Sequence, residues 1–162
     1  MRIGVVSDTH NNLKNVATIV RLFNEAQVDR VIHTGDITQA KTLDLFADLT
    51  MPMWGVFGNN DQERETLQTA IDRHGFEFCE PPFVTTWAGR RLIVVHDPLE
   101  FDGHLHQEHE LALHGHTHRY RLEQWGTSTT IFNPGECAGH MAGYNNIGVV
   151  DLTTLQTEII KF

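Results

Sequence analysis

The run RIGVVSDTHNNLKNVATIVRLFNEAQVDRVIHTGD, residues 2–36, contains three segments of different hydrophobic period. RIGVV is short and almost wholly apolar, as a strand buried on both faces must be. Leu13, Val16, Val20 and Phe23 then recur near a 3.6-residue spacing, which gives Leu13–Ala26 one apolar helical face. RVIH returns to a strand-like run. Strand, helix and strand in so short a length predict two parallel strands joined by a right-handed crossover. The alternation continues outward through a helix-like Thr38–Leu49, the strand-like MWGVF and a helix-like Asp61–His74. The first half therefore reads βαβαβα, a parallel sheet with helices packed on it.

The second half changes character. FVTTW and RLIVV flank Ala88-Gly89, RYRLEQW and TSTTIF flank Gly126, and IGVVDL precedes LQTEIIKF, which predicts antiparallel hairpins. No internal repeat, low-complexity tract or Pro/Gly/Ser-rich linker interrupts the chain. One α/β domain over residues 1–162 is expected, with two packed sheets and helices on the outside.

Composition narrows the function classes. With 40% hydrophobic and 20% charged residues the chain matches an ordinary water-soluble domain, and no apolar run approaches the roughly 18 residues of a membrane helix. MRIGVVSDTH enters a strand at once, without a basic region and apolar leader, so a cytoplasmic location is expected. Cys79 and Cys137 lie far apart and are read as reduced, structural thiols. A net charge of -9 argues against an extended surface for nucleic acid or anionic lipid. No segment specifies an oligomeric state.

Polar residues cluster where strand-like runs end. VVSDTH supplies Asp8 and His10, VIHTGD supplies Asp36, GVFGNND supplies Asn59, and LIVVHD supplies His96. Loops beyond the carboxyl ends of such strands converge on one edge of the sheet, where ligands bind. LALHGHTHRY, residues 111–120, adds His116 and His118, and in an extended chain their two-residue period would point both imidazoles the same way. These seven side chains are all nitrogen or oxygen donors, too many for one tetrahedral ion. If Asp36 bridges, they hold two divalent ions with four contacts each, and positions remain for water and substrate. Four positive charges against two carboxylates leave a surplus that attracts a phosphate ester.

Other readings apply to single residues. Asp8, His10 and Asp36 taken alone would suit helix caps or turns, whereas jointly they read as ligands. His114 is expected to pack or to support a ligand from behind, and His33 to be a satisfied core imidazole. His74 falls in the last turn of a helix before Gly75. The His- and acid-rich Glu100–Glu110 segment is read as a solvated loop near the cleft, His140 as a substrate contact, and Arg119 and Arg121 as phosphate contacts or solvated strand residues.

The ordered set SDTH, TGD, GNND, VVHD and HGHTH, from Ser7 to His118, resembles the calcineurin-like metallophosphoesterases. The chain length and the NPGE turn, Asn133 to Glu136, are similar to the small phosphodiesterase branch of that superfamily. The resemblance implies a four-layer αββα sandwich of two mixed sheets. It implies one metal on Asp8, His10, Asp36 and His118, and another on Asp36, Asn59, His96 and His116. It also implies in-line attack by metal-bound hydroxide on a small or exposed phosphodiester, without a covalent nucleophile from the protein. Manganese is the first choice of ion, and iron, nickel, cobalt or zinc also suit such donors.

Asp36, Asn59 and Asn60 are the expected catalytic residues. Asn60 stands where many members carry an acid-donating histidine, so it is expected to hydrogen-bond a phosphate oxygen, and substrates with good leaving groups are favoured. Asp97-Pro98 replaces the Gly usual after the strand-ending His, so Asp97 either orients a neighbouring ligand or displaces His96. Glu136 replaces the usual Ser and is given no chemistry. The alternatives are a non-catalytic scaffold like the family's retromer subunit, which keeps the fold and loses part of the metal set, or a phosphomonoesterase. The full set of ligand types favours the phosphodiesterase.

Overall fold

The computed structural model describes residues 1–162. In chain order its elements are β1 (Arg2–Val6), α1 (Leu13–Ala26), β2 (Arg30–His33), α2 (Ala40–Phe46), β3 (Met53–Val56), α3 (Arg64–His74), β4 (Glu77–Cys79), β5 (Phe83–Trp87), β6 (Arg90–Val94), a 3-10 turn at Pro98–Phe101, β7 (Leu111–Leu113), β8 (Arg121–Trp125), β9 (Thr129–Asn133), β10 (Asn146–Asp151) and β11 (Gln156–Lys161).

β1 buries all but its first side chain, and accordingly it lies inside a sheet with neighbours on both edges. It runs parallel to β2 and antiparallel to β10. The six-stranded sheet has the order β11-β10-β1-β2-β3-β4, and a five-stranded sheet has the order β5-β6-β7-β9-β8. Within the second sheet β6, β7 and β9 are mutually parallel, while the β5–β6 and β8–β9 hairpins are antiparallel.

Three layers follow from where apolar side chains point. Val16, Ile19, Val20 and Phe23 form the buried face of α1, and with Leu43, Phe46, Leu67 and Ile71 of the other helices they cover one face of the first sheet. Each such side chain contributes roughly 1.5–3 kcal/mol by leaving water. The opposite face of that sheet, through Ile3, Val5, Ile32 and Val56, packs on Leu92, Val94, Leu111, Leu113 and Phe132 of the second. The face-to-face mixed sheets with helices outside are as the sequence predicts.

The fourth layer is thinner than the family resemblance implies. Phe101 of the 3-10 turn and the partly buried Leu105 lie over Ile93, Ala112 and Ile131, so one turn and its loop cover the second sheet where a helix was expected. Asp102–His104 and His106–Glu108 are exposed, as expected of a solvated loop, but the segment is anchored at both ends. Phe101 and His109 are buried, and Glu100 Oε2 accepts the backbone N–H of His96 at 3.0 Å and of Asp97 at 2.9 Å. No helix is long and apolar enough to cross a membrane.

Candidate metal centre

β1, β2, β3, β6 and β7 point their carboxyl ends to one edge of the sandwich, and the loop after each carries candidate ligands. Backbone bonds lace these loops together. Asp8 N–H donates to Gly35 O at 3.1 Å, His10 N–H to Asp36 O at 3.0 Å, and Gly115 N–H to His96 O at 3.0 Å. Asp61 completes the frame, since its buried carboxylate accepts the N–H groups of Asp36, Thr38 and Gly58 at 2.9, 2.6 and 2.7 Å. Asp61 was absent from the expected site residues. Its G-N-x-D position marks it, and its work is to fasten the loop after β2 to the loop after β3.

The seven expected ligands converge in two sets. In one, His10 Nε2 lies 3.1 Å from His118 Nε2, 3.8 Å from Asp8 Oδ1 and 3.4 Å from Asp36 Oδ2, and His118 Nε2 lies 3.4 Å from Asp8 Oδ1. In the other, Asn59 Oδ1 lies 3.0 Å from His96 Nε2 and 3.1 Å from His116 Nδ1, and His96 Nε2 lies 3.4 Å from Asp36 Oδ1. Asp36 reaches both sets with different oxygens. Donors on one cation with bonds of about 2.0–2.2 Å stand roughly 3.0–3.5 Å apart, which is the range seen between most of these atoms.

Two observations test whether these residues fit cations. Asp8 Oδ1 is buried and has no hydrogen-bond partner, although an orphaned buried carboxylate oxygen is costly. The outer ring nitrogens of two imidazoles are also already committed. His96 Nδ1–H donates to Thr34 O at 2.9 Å and His118 Nδ1–H donates to Glu136 Oε2 at 2.9 Å, so each ring turns Nε2 toward the cluster. Tautomer fixation from behind is characteristic of metal-binding histidine. The donor set fits divalent transition metals.

The local field agrees. Burial alone would lower His96, but the Asp36 carboxylate beside it, with Asp8 further off, pushes the imidazole up to about 9. Burial would likewise raise Asp36, yet hydrogen bonds from His96 and Asn60 hold it well below the usual carboxylate range. His10 is raised chiefly by Asp8, against its partial burial. Proton and metal ion compete for the same lone pairs.

The backbone at this edge is unusual. Asp8, His10, Asp36, His116 and His118 all have φ between 40° and 63°. Asp, Asn and His tolerate this left-handed region better than most residues, and clustering of such strain marks a functional site. It also corrects the extended reading of HGHTH. β7 ends at Leu113, and left-handed turns at His116 and His118 send the two imidazoles to different sets.

The remaining candidates divide clearly. Asn60 donates to Asp36 through its backbone N–H at 2.9 Å and its side-chain amide at 2.7 Å, so the amide expected on a phosphate oxygen is holding a carboxylate instead. Asp97 does not displace His96. It is extended before Pro98, accepts Leu99 N–H at 2.9 Å, and its Oδ2 lies 3.6 Å from His116 Nε2. His140 stacks on His118 with centroids 5.3 Å apart and lies 5.4 Å from His10. His33 is a satisfied core imidazole, bonded to Gly35 N–H and Thr9 Oγ1 at 3.1 Å each, and burial pushes it down to about 3. His114 is buried with Nδ1 3.0 Å from Gly115 O and Nε2 3.5 Å from the Arg121 guanidinium. His74 closes α3 beside Asp44. Cys137 is buried with Sγ 3.1 Å from Asn146 O, and burial pushes its thiol above the ordinary range.

Glu136 is what sequence reasoning passed over. It is fully buried beyond the end of β9, and it accepts from His118 with Oε2 and from Met141 N–H with Oε1 at 2.9 Å. The available signal was its place after TTIFN, one more strand-like run ending in a turn. Replacing Glu136 with Ala frees the His118 ring, and affinity for an added divalent ion such as manganese should fall by about 10–100-fold. Manganese titration followed by electron paramagnetic resonance reads this directly, and an unaltered affinity would refute the role.

Comparison with known proteins follows the same geometry. The calcineurin-like phosphoesterase superfamily domain model matches residues 1–155. Phosphodiesterase MJ0936 of Methanocaldococcus jannaschii is 29% identical over 162 aligned residues, 93% of each chain. Among solved structures, an archaeal phosphodiesterase superposes with a TM-score of 0.89 at 27% identity over the whole of both chains. The Escherichia coli phosphoesterase YfcE superposes with a TM-score of 0.72 at 19% identity, covering 99% of this chain and 98% of its own, and shows the fold alone.

Proposed function

This chain belongs to the calcineurin-like phosphoesterase superfamily, and we propose that it is a binuclear metal-dependent phosphodiesterase acting on a small or exposed phosphodiester. Asp8, His10, Asp36 and His118 would hold one divalent ion, and Asp36, Asn59, His96 and His116 the other, with manganese the first choice. When bound, such ions supply positive charge for the phosphoryl oxygens and lower the pKa of water enough to give a nucleophile at neutral pH. Everything else falls to the chain's own groups. Glu136 and Thr34 O fix the rings of His118 and His96, Asn60 orients Asp36, and His140, stacked on His118, is set to touch the substrate. Asn59 and Asp36 act as catalytic ligands. Displacement at phosphorus is in line, with no covalent nucleophile contributed by the chain.

The observation that carries this proposal is the orphaned Asp8 Oδ1, buried within reach of two imidazoles and bonded to nothing. A scaffold that had lost its metals would have no use for it. Asn60 supplies no proton to a leaving group, so activated diesters should be cleaved faster than unactivated ones. The manganese-loaded chain should hydrolyse bis(4-nitrophenyl) phosphate faster than 4-nitrophenyl phosphate, and chelation should abolish both rates. A metal-loaded, folded chain inert toward every activated diester would exclude the proposal, and a faster monoester rate would make it a phosphomonoesterase.

A further inference from the structure

Two cavities open from the candidate metal centre, and their chemistry differs. One of about 290 Å3 lies beside Asn59, His96 and His116. Its charged groups are occupied by one another. Arg64 sits 4.1 Å over the Phe57 ring and 3.1 Å from Glu80, while Glu100 holds the backbone N–H groups of His96 and Asp97. The other, of about 370 Å3, opens from His118 and is lined by Arg119, Tyr120, Met141, Tyr144 and Asn146.

The second cavity has uncommitted apolar surface. Tyr120, Met141 and Tyr144 are 52%, 42% and 59% exposed, so three of the chain's eight exposed large apolar side chains share one pocket. Exposed apolar surface gathered beside a reactive centre marks a binding site more than chance scatter does. Arg119 beside it is exposed and has no acidic partner within ion-pair distance.

The walls are held in place. Tyr120 packs edge-on against the buried Phe132, with centroids 6.4 Å apart. The loop bearing Met141 and Tyr144 is tied down by Glu136 Oε1 on Met141 N–H, by Tyr144 N–H on Met141 O at 3.2 Å, and by Asn15 Nδ2 on Asn145 Oδ1 at 3.1 Å. Glu136 thus fixes the candidate ligand His118 with one oxygen and the pocket's far wall with the other. Pocket and centre are joined through a single carboxylate.

We propose that this pocket is a subsite for a planar aromatic ring carried on one ester arm of the substrate, with Arg119 facing the charge of the phosphate that bears the arm. The assignment rests on the phosphodiesterase proposed above, and it narrows the substrate class to diesters with an aryl or nucleobase-bearing arm. Two flat tyrosine rings and a polarisable thioether suit a ring held by stacking.

Calorimetric binding to the manganese-loaded chain tests it with two pairs of product-like monoesters. Phenyl phosphate against methyl phosphate probes an aryl arm, and adenosine 5′-monophosphate against ribose 5-phosphate probes a nucleobase. In at least one pair the aromatic member should bind about tenfold tighter, and that ratio should fall to about one in Met141→Ser/Tyr144→Ser. Both replaced side chains are exposed, so the variant should fold, which its melting curve checks. Tyr120→Ser, read in the same way, should also lower the ratio. Ratios near one in the parent chain, or a ratio that the variants do not change, overturn the subsite while diester hydrolysis persists. Absence of both methyl phosphate binding and diester hydrolysis would instead refute the underlying function.

Discussion

Asp36→Asn is expected, on the binuclear proposal, to lower phosphodiester hydrolysis by about 10^3-fold and to reduce bound manganese from two ions per chain toward one. Asp36 is the one side chain whose oxygens reach both sets, Oδ2 at 3.4 Å from His10 Nε2 and Oδ1 at 3.4 Å from His96 Nε2. Asparagine keeps the shape but loses the charge, and one oxygen becomes an amide that cannot bind a cation. It also meets Asn60, whose backbone N–H and side-chain amide each donate to one of the two oxygens, so one of those donors would face the new NH2 group. Three decades in rate correspond to about 4 kcal/mol, a size consistent with the loss of one bridging charge from a buried site. Metal analysis separates this from misfolding. A variant that keeps two ions and hydrolyses within tenfold of the parent would show that Asp36 bridges nothing.

The fold and the centre were legible in the sequence to different depths. α1 was readable because its apolar residues keep helical period along its whole length, and its ends are set locally by the Asn12 cap and the left-handed Gln27. α2 and α3 start later than hydrophobicity suggests because their leading residues serve the site. Thr38, at φ 80°, gives its N–H to Asp61, and Asp61 ties two loops instead of opening α3. β7 has only three residues, too few for a periodic signal, yet it delivers two candidate ligands. The alternating histidines do reach the candidate centre, but not for the reason their spacing suggests, since left-handed turns and not an extended strand present them.

Long-range partnerships were the illegible part. Nothing local to NPGE marks Glu136 as the partner of His118, and nothing local to Tyr144 or Met141 places them beside Tyr120. Such contacts are set by which strand ends meet, and β9 comes beside β7 only through parallel pairing across the intervening β8 hairpin. The motif residues stood out because each follows its own strand. Supporting residues have no comparable mark, so their roles appear only after the sheets are assembled.

Gly115→Ala should be strongly damaging, since a methyl group there makes the shortest contact of any glycine in the chain. A Cβ there would stand 1.9 Å from Ser7 Oγ, 2.8 Å from Asp8 Oδ2 and 2.9 Å from Thr34 Oγ1, all in buried residues. Gly115 has no left-handed φ, so the requirement is room and not backbone freedom. The methyl group must push apart the loops after β1 and β7, and with them the His116 N–H bond to Asp8 Oδ2 at 3.0 Å and the approach of His118 to Asp8. Overpacking of this kind costs about 1–3 kcal/mol, roughly 2–12 °C in melting temperature for a chain of this size. Loss of metal on the Asp8 side should accompany it. Ser7→Ala/Gly115→Ala removes the shortest contact and should recover part of the melting temperature, because only the approaches to Asp8 and Thr34 remain. If Gly115→Ala melts with the parent and binds two ions, the loops do not meet as closely as the fold requires. If the double variant melts no higher than the single one, Ser7 is not the obstacle.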